Sequence, residues 1–253
     1  MDAALVTVGD ELLAGDTTDT NATWLADQLT DRGVVVRRVL TVPDEEAVIA
    51  DAVAEYSDAF DAVVVTGGLG GTPDDLTMDA VARAFDRPLV PDDRAREDVE
   101  RTLAAYLEAN PDLELDVDVD AEASIPRDAR PIINPQGLSP GCVVENVYVL
   151  PGIPEEMEAV FGEVADEFAG EVRSETLYTT DPEANMIDDL GTARERFGVS
   201  VGCYPDREAR HNRLKVTGGD AEAVRRAVEY LRGRVTTVAA DEGRDREETV
   251  GDR

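Results

Sequence analysis

The stretch DAVVVTGGLGGTPDDLTMDAVARAF, residues 61–85, joins an apolar run to an amphipathic segment through a glycine-rich turn. The three valines at 63–65 are typical of a central strand in a sheet that is covered on both faces. Glycines at the carboxyl end of such a strand permit positive φ angles and close approach, so successive backbone N–H groups can face one anion. A helix that begins there adds a partial positive charge. The stretch therefore predicts a phosphate-binding turn.

The same residues allow a simpler interpretation, a tight strand-to-helix turn in which Asp75 caps the helix. The stretch is not the GxGxxG dinucleotide pattern, and it has no Gly-Lys-Ser/Thr of a P-loop. Both interpretations stay open on local sequence alone.

Strands and helices alternate around this turn. Apolar runs at 4–9, 34–42 and 61–68 predict strands, and helical periodicity follows at 20–33 and from Asp44, which is placed as an N-cap. A hairpin is predicted to turn at Glu145-Asn146, and the acidic run 112–120 is either an edge strand or a solvated loop. This order predicts an α/β domain over residues 1–168, three layers around a mostly parallel sheet.

From about residue 171 the order changes to strand, helix, two strands and helix. This is the split β-α-β pattern, which predicts a second, small ferredoxin-like α+β domain over 171–240. Residues 241–253 have no apolar periodicity and are predicted to form a disordered acidic tail. His211, the single histidine, lies in the charged run EARHN and is predicted at the surface.

The charge balance is extreme: 24 Lys plus Arg stand against 56 Asp plus Glu, a net charge of −32, in 253 residues. The acids are spread along the chain, which is typical of a halophilic surface. Such a field repels nucleic acid and anionic lipid, so neither is expected as a partner. No run approaches the length of a membrane span, the opening residues lack signal-peptide features, and cysteines number two. A cytoplasmic, reduced protein is expected.

Five motifs occur in a fixed order. They are GDELLAGDTTDTNATWLADQL (9–29), TVPDEEAVI (41–49), TGGLGGTPDDLTMDAVARAF (66–85), INPQGLSPG (133–141) and LPGIPEEM (150–157). In this order they resemble the molybdopterin-binding-like domain of the CinA family, and the small domain resembles the one that follows it there. Gly71-Thr72 replaces a frequent Pro-Thr, and Ser139 departs from the residues common at its position. Many family members continue into a nicotinamide-mononucleotide deamidase domain, which this sequence does not show, so deamidase activity is not inferred.

The resemblance implies metal-dependent hydrolysis of nucleotide diphosphates of the ADP-ribose type, with the pyrophosphate on the glycine-rich turn. The related adenylyltransferases MogA and MoaB share this turn and use a carboxylate pair that matches Asp44 and Asp75, which are the predicted catalytic residues. The predicted phosphate-binding residues are Asn21, Thr66, Gly67, Gly68, Gly70, Gly71, Thr72, Pro151 and Gly152. The predicted ligands of a Mg, Mn or Co ion are Asp10, Glu11, Asp44, Asp74 and Asp75, because carboxylates beside a phosphate need a bridging cation.

Two alternatives stay open. One is a molybdopterin-binding protein or an adenylyltransferase-like enzyme of molybdenum cofactor biosynthesis, with molybdopterin as the ligand. The other is a non-catalytic pterin or nucleotide binding module in which the aspartates only cap helices. In each case the expected partner is a small nucleotide or pterin phosphate, and a homo-oligomer is expected.

Overall fold

A computed structural model describes residues 1–113, 115–207 and 209–239 of the chain. The chain divides into two compact units, one of Met1–Leu29 with Val34–Ala169 and one of Thr30–Gly33 with Gly170–Arg253. The predicted tail, 241–253, lies outside the described residues.

The first unit begins with the alternation that the sequence predicts. Its elements in chain order are β1 (Asp2–Val8), α1 (Asp10–Ala14), α2 (Thr20–Asp31), β2 (Val35–Val42), α3 (Glu46–Ala59), β3 (Ala62–Thr66), α4 (Thr77–Ala84), β4 (Leu89–Pro91), α5 (Asp93–Ala109), α6 (Val119–Glu122), β5 (Ser124–Pro126), β6 (Arg130–Ile132), β7 (Gly141–Val144), β8 (Val147–Leu150), α7 (Pro154–Gly162) and a 3-10 turn (Ala165–Glu167).

The main sheet has the strand order β2-β1-β3-β8-β7-β6. Its strands β2, β1, β3 and β8 are parallel neighbours, and β7 and β6 extend the sheet in antiparallel pairing. The β7–β8 hairpin turns at Glu145, whose φ is +51°, as predicted. All five residues of β3 are buried, as expected of a central strand.

Helices cover both faces of this sheet. On one face, α2 and α7 bury Leu25, Leu29 and Phe161 against β1 and β3. On the other, α3 and α4 bury Ile49 and Val81. Alternate residues of the strands supply the two cores, so the predicted three-layer α/β class is confirmed.

The acidic run 112–120 contains no strand in its described part, and it enters the short helix α6 at Val119. A two-stranded sheet of β4 and β5 was not predicted, because strands of three residues carry no readable alternation. Helix α1 was missed for the same reason, since its five residues are fewer than two turns.

The second unit contains β9 (Arg173–Thr179), α8 (Glu183–Phe197), β10 (Ser200–Asp206), β11 (His211–Gly218), α9 (Ala221–Arg232) and β12 (Thr237–Val238). The strand order β10-β11-β9-β12 is antiparallel throughout. Helices α8 and α9 pack on one face, where Leu214, Val216 and Leu231 are fully buried. This is the predicted small α+β domain.

The surface prediction for His211 is wrong. Its side chain is only 7% exposed and stacks on Tyr178, with ring centroids 5.0 Å apart. The charged run that suggested exposure ends where β11 begins, and the strand then carries the imidazole onto the sheet. In the described part of the chain, no helix combines the length and apolar character that crossing a bilayer requires.

Candidate functional site

The carboxyl ends of β1, β2, β3 and β8 meet at one edge of the main sheet, where parallel sheets bind ligands. A cavity of about 500 Å³ opens at this edge. Its lining includes Gly9, Glu11, Thr17, Thr18, Asp19, Thr20, Asn21, Asp44, Thr66, Gly67, Gly68, Leu69, Asp74, Asp75 and Gly152. Most of the predicted site residues are therefore brought together, although they come from four separate segments of the sequence.

The glycine-rich turn leaves β3 in a conformation that requires glycine. Gly67 and Gly68 have φ angles of 100° and 60°. A Cβ atom on Gly67 would lie 2.2 Å from the Val8 carbonyl oxygen, and one on Gly68 would lie 2.5 Å from Thr77 Oγ1. The buried Thr77 hydroxyl donates to the Gly67 carbonyl at 2.8 Å and ties the turn to the first residue of α4. Thr77 was not predicted as a site residue.

Some backbone N–H groups of this turn have a hydrogen-bond acceptor within the protein and others do not. The N–H of Gly67 donates to Leu150 at 3.3 Å, and that of Thr72 donates to Asp75 at 3.0 Å. Between them, the N–H groups of 68–71 have no acceptor in the described part of the protein. Gly67 therefore shapes the turn, contrary to its predicted role as a donor, and four consecutive N–H groups remain for a ligand.

The predicted donor hydroxyls are also used within the protein. Thr66 Oγ1 donates to the Pro151 carbonyl at 2.6 Å, and Thr72 Oγ1 donates to Asp75 at 2.5 Å. Each hydroxyl has one proton, so neither donates to a ligand in this conformation, and phosphate binding by Thr66 and Thr72 stays a prediction.

Asn21 joins the exits of β3 and β8. It is the second residue of α2, so it does not cap the helix; Asp19 instead accepts from the Ala22 N–H at 2.8 Å. The Asn21 amide donates to the Gly152 carbonyl at 2.7 Å and lies 3.4 Å from Thr66 Oγ1. A carbonyl can only accept, so this contact fixes the orientation of the amide. Asn21 Oδ1 is enclosed and has no partner in the described residues, which leaves an acceptor for a ligand.

Asp44 does not cap α3, whose N-cap is Glu45, so that prediction is wrong. Its carboxylate accepts from the Asp10 N–H at 2.8 Å, which ties the exit of β2 to that of β1. Burial raises the pKa of Asp44 above its ordinary value, and repulsion from the carboxylates of Asp10, Glu11 and Asp74 raises it further. The hydrogen bond from the Asp10 N–H acts in the opposite direction and lowers the pKa. The predicted acidic residues thus lie near one another.

Asp75 does not cap α4 either, because the N-cap is Leu76 and no side chain caps that helix. Asp75 instead accepts from both the N–H and the hydroxyl of Thr72, which closes the turn 72–75. A Cβ on Gly70 would lie 2.5 Å from the Asp75 carboxylate. The aspartate therefore sets the shape of the glycine-rich turn.

A second cavity of about 360 Å³ lies along the same turn, with Leu69 and Asp75 contributing to both cavities. Gly70 and Gly71 line this second cavity together with Glu122 and Ser139. Ser139, which departs from the residues common at its position in the family, donates a hydrogen bond to Glu122 at 3.2 Å. Glu122 was missed, because α6 carries no sequence signal that links it to the turn.

The loop that carries Ser139 rests on a buried polar network. Asn134 is fully buried and donates to the Ser139 carbonyl at 2.9 Å and to Glu156 at 2.8 Å. Asp98, 1% exposed, accepts from the Asn134 N–H at 2.9 Å and pairs with Arg101. Such a network holds the second cavity's wall in one conformation.

The carboxylates do not form a metal centre by themselves. Across the described residues, no group of three or more His, Cys, Asp or Glu side chains is arranged to hold a metal ion. The donor set therefore does not fit a cation that the protein alone would hold. Mg, Mn or Co as a cofactor stays a prediction from the sequence.

The fold and the position of the cavity define an α/β protein with a glycine-rich turn at the carboxyl end of a parallel sheet. Residues 4–170 match the family model described as probable molybdopterin binding domain, and residues 171–241 match that of the FAD synthase middle domain. The chain belongs to the family of the probable molybdopterin binding domain and is CinA-like.

Three relatives illustrate this membership. A protein of Archaeoglobus fulgidus is 36% identical over 91% of this chain and 96% of its own length. A CinA-like protein of Citrifermentans bemidjiense is 36% identical over 97% of this chain and 61% of its own length. The crystal structure of CinA, of unknown function, from Thermoplasma acidophilum is 34% identical, covers 67% of this chain and 99% of its own, and has a TM-score of 0.59.

These comparisons overturn the main functional prediction. The family model that covers the site describes molybdopterin binding, not hydrolysis of ADP-ribose-type nucleotide diphosphates. The expectation of a metal-dependent hydrolase, an ADP-ribose pyrophosphatase, is therefore wrong, and the molybdopterin-binding alternative is the one supported.

Proposed function

We propose that the first unit binds a phosphorylated pterin of the molybdopterin type at the glycine-rich turn. The observation that carries this proposal is the row of four consecutive N–H groups, 68–71, without an acceptor in the described protein. Backbone donors attract a phosphate without any cationic side chain. In a chain with a net charge of −32, such a local device is what an anionic ligand needs.

The rest of the first cavity fits the heterocycle of such a ligand. Glu11, Asp44 and Asp75 present carboxylate oxygens there, and Asn21 Oδ1 is a further acceptor. An aminopyrimidinone ring carries N–H donors, so it pairs with acceptors of this kind. Gly68 and Leu69 of the donor row line the same cavity as these acceptors, so donors for a phosphate and acceptors for a ring are neighbours there.

A second candidate function is an adenylyltransferase-like enzyme of molybdenum cofactor biosynthesis. Two cavities that share Leu69 and Asp75 flank the glycine-rich turn, which gives room for a pterin phosphate and a nucleotide side by side. Incubation with MgATP and molybdopterin separates the two candidates: adenylylated pterin supports the transferase, and binding without turnover supports a binding protein.

A divalent cation at this site would need ligands from the substrate's phosphate as well as from the carboxylates of the cavity.

The oligomeric state and the location of the protein are separate expectations. A homo-oligomer is expected, and sedimentation measures it. A cytoplasmic location stays an expectation from the sequence, in line with the free thiols of Cys142 and Cys203.

Calorimetric titration with a dihydropterin monophosphate tests the proposal, with the unphosphorylated pterin and inorganic phosphate as half-ligands. The whole ligand should bind more tightly than either half. Gly68→Ala should weaken binding at least about tenfold, because a Cβ displaces Thr77 and the turn. Gly162→Ala is the matched control, since a Cβ there meets nothing within 4 Å. Equal binding by both variants would contradict the proposal.

A further inference from the structure

The second unit presents one face of its sheet away from helices α8 and α9. Alternation places the buried Leu214 and Val216 on the helix side, so Arg213, Lys215 and Thr217 point to the opposite face. The hydroxyl groups of Ser174 and Thr217 meet across that face at 3.3 Å, which confirms its register. We call this surface the open face. It carries Ser174, Thr176 and Tyr178 of β9, Ser200, Gly202, Tyr204 and Asp206 of β10, His211, Arg213, Lys215 and Thr217 of β11, and Val238 of β12.

One row across the open face joins two tyrosines through an arginine. Tyr204 on β10 pairs with Arg213 on β11, and Arg213 pairs with Tyr178 on β9. The Arg213 guanidinium lies 5.3 Å from the centre of the Tyr204 ring, within cation–π distance. Two strand spacings separate the tyrosines, about 10 Å, so each can contact a different planar group.

Tyr204 lies flat along its own strand. A Cβ on Gly202 would fall 2.6–2.7 Å from the Tyr204 ring and hydroxyl, so only glycine at 202 leaves space for the ring. The ring is nevertheless 49% exposed. Tyr178 is held differently, by the nearly parallel ring of His211. Both tyrosines are thus fixed as platforms on the sheet.

The open face carries two cationic side chains, Arg213 and Lys215. Lys215 is the single lysine of the sequence, and it shares β11 with the single histidine. Some arginines elsewhere form ion pairs with the abundant acids, as Arg37 does with Asp2 and Arg130 with Glu167. Neither Arg213 nor Lys215 forms an ion pair with any residue that the structure describes. Among the described strand residues of the open face, these two cations thus lie with a single carboxylate, Asp206.

We propose that the open face binds single-stranded nucleic acid. Antiparallel four-stranded sheets bind single-stranded RNA by stacking bases on aromatic side chains of their exposed strands. Here Tyr204 and Tyr178 stack two bases, and Arg213 and Lys215 contact the phosphates between them. This proposal departs from the expectation, drawn from net charge, that the chain repels nucleic acid. At molar salt the Debye length is about 3 Å, so distant acids are screened while stacking persists.

Fluorescence polarisation with labelled ten-nucleotide single-stranded RNA tests this inference on the full chain, between 0.5 and 2 M KCl. Single-stranded DNA of the same sequence shows whether the face prefers RNA to DNA. A duplex of the same sequence should not bind, because its bases are already stacked. For two phosphate contacts, log K should fall with log salt at a slope of about −1.4.

Tyr204→Ala should weaken binding about tenfold or more, since stacking contributes of the order of tenfold per base or above. Arg213→Gln and Lys215→Gln should each reduce the slope by about 0.7. Tyr106→Ala and Arg194→Gln are matched controls, an exposed tyrosine in the first unit and an exposed arginine on α8. Both controls should bind as the unaltered chain does, and melting curves should show all variants folded.

Three results would overturn the proposal. The first is no binding of either single strand at any salt. The second is binding that the open-face variants leave unchanged, or that polyglutamate displaces as well as RNA does. The third is a change of oligomeric state in Tyr204→Ala without nucleic-acid binding, which would make the open face a contact between copies of the chain. The pterin titration tests only the first unit, so its outcome does not decide whether the open face binds nucleic acid.

Discussion

The carboxylate of Asp44 accepts a hydrogen bond from the backbone N–H of Asp10 at 2.8 Å, which joins the ends of β2 and β1 beside the glycine-rich turn. The bond holds an acid at the cavity where other acids repel it and burial raises its pKa. Asp44 is therefore kept in an unfavourable place by a single backbone donor.

Asp44→Asn should leave the melting temperature at pH 7 unchanged or raise it by about 2 °C, because asparagine keeps the acceptor and removes the charge. A carboxyl whose folded-state pKa is raised loses stability as pH increases through that pKa. The difference between variant and parent should therefore vanish below the ordinary value of 3.8, where the carboxyl is protonated in both states. Thermal unfolding at pH 3.5 and 7 in 2 M KCl measures this.

Asp92→Asn is the control for that experiment, since Asp92 caps α5 and asparagine caps equally well. The melting temperature of Asp92→Asn should differ little from that of the parent at either pH. A clear loss of stability in Asp44→Asn at pH 7 would show that the charge itself supports the fold.

Asp75→Ala should weaken pterin phosphate binding about fivefold to tenfold, because it removes both side-chain bonds across the turn 72–75 and leaves only the backbone bond from the Asp75 N–H to the Thr72 carbonyl. Asp75 does not cap α4, so the free energy of unfolding should fall by no more than about 1 kcal/mol. Thr72→Ala should reproduce the binding loss in part, and the double variant should be no worse than Asp75→Ala alone. Additive losses would mean that the two side chains act separately; calorimetry and melting curves measure both effects.

Asn21→Ala should destabilise the protein by about 1 kcal/mol, since it removes the donor to the part-buried Gly152 carbonyl. Asn21→Asp should be worse at pH 7 than at pH 4, because an ionised carboxylate would face that carbonyl while a protonated one can donate to it. Denaturant unfolding at the two pH values measures this. If Asn21→Asp is equally stable at both, the contact does not have the assigned polarity.

The melting temperature should rise from low to molar KCl. A net charge of −32 repels itself, and the screening length falls from about 10 Å at 0.1 M to about 3 Å at 1 M. Potassium glutamate at equal ionic strength is the control for effects specific to chloride. A flat or falling dependence would contradict the halophilic interpretation.

The sequence predicted the elements whose patterns are long. The valine run before Thr66 and the periodicity of α2, α3 and α9 were enough to place the sheet, both helical layers and the small unit. The five motifs, in their order along the chain, then correctly indicated the family. Short elements such as α1, β4 and β5 were not predictable, because two turns of helix or two periods of a strand are needed for a readable pattern.

Side-chain partners at the site were the weaker part of the prediction. Asp44 and Asp75 stand where helix caps are common, yet neither caps the helix that follows it. Asp44 accepts from the first N–H of α1, and Asp75 accepts from the Thr72 N–H in the turn 72–75. The hydroxyls of Thr66 and Thr72 were expected to face a ligand, but neighbouring acceptors take their protons. Partners of this kind depend on distances between separate loops, which one sequence does not contain.

Titration of the ¹⁵N-labelled chain with dihydropterin monophosphate, followed by amide NMR in high salt, shows whether the glycine-rich turn binds the ligand's phosphate. Amide protons that gain a phosphate acceptor move downfield, so we expect the largest downfield shifts at Gly68, Leu69 and Gly70, whose N–H groups lack an acceptor in the described protein. Gly67 and Thr72, whose N–H groups already donate to Leu150 and to Asp75, should move less. Saturable binding with its largest shifts elsewhere, or no shift along 68–71, would contradict the claim that this turn binds the ligand's phosphate.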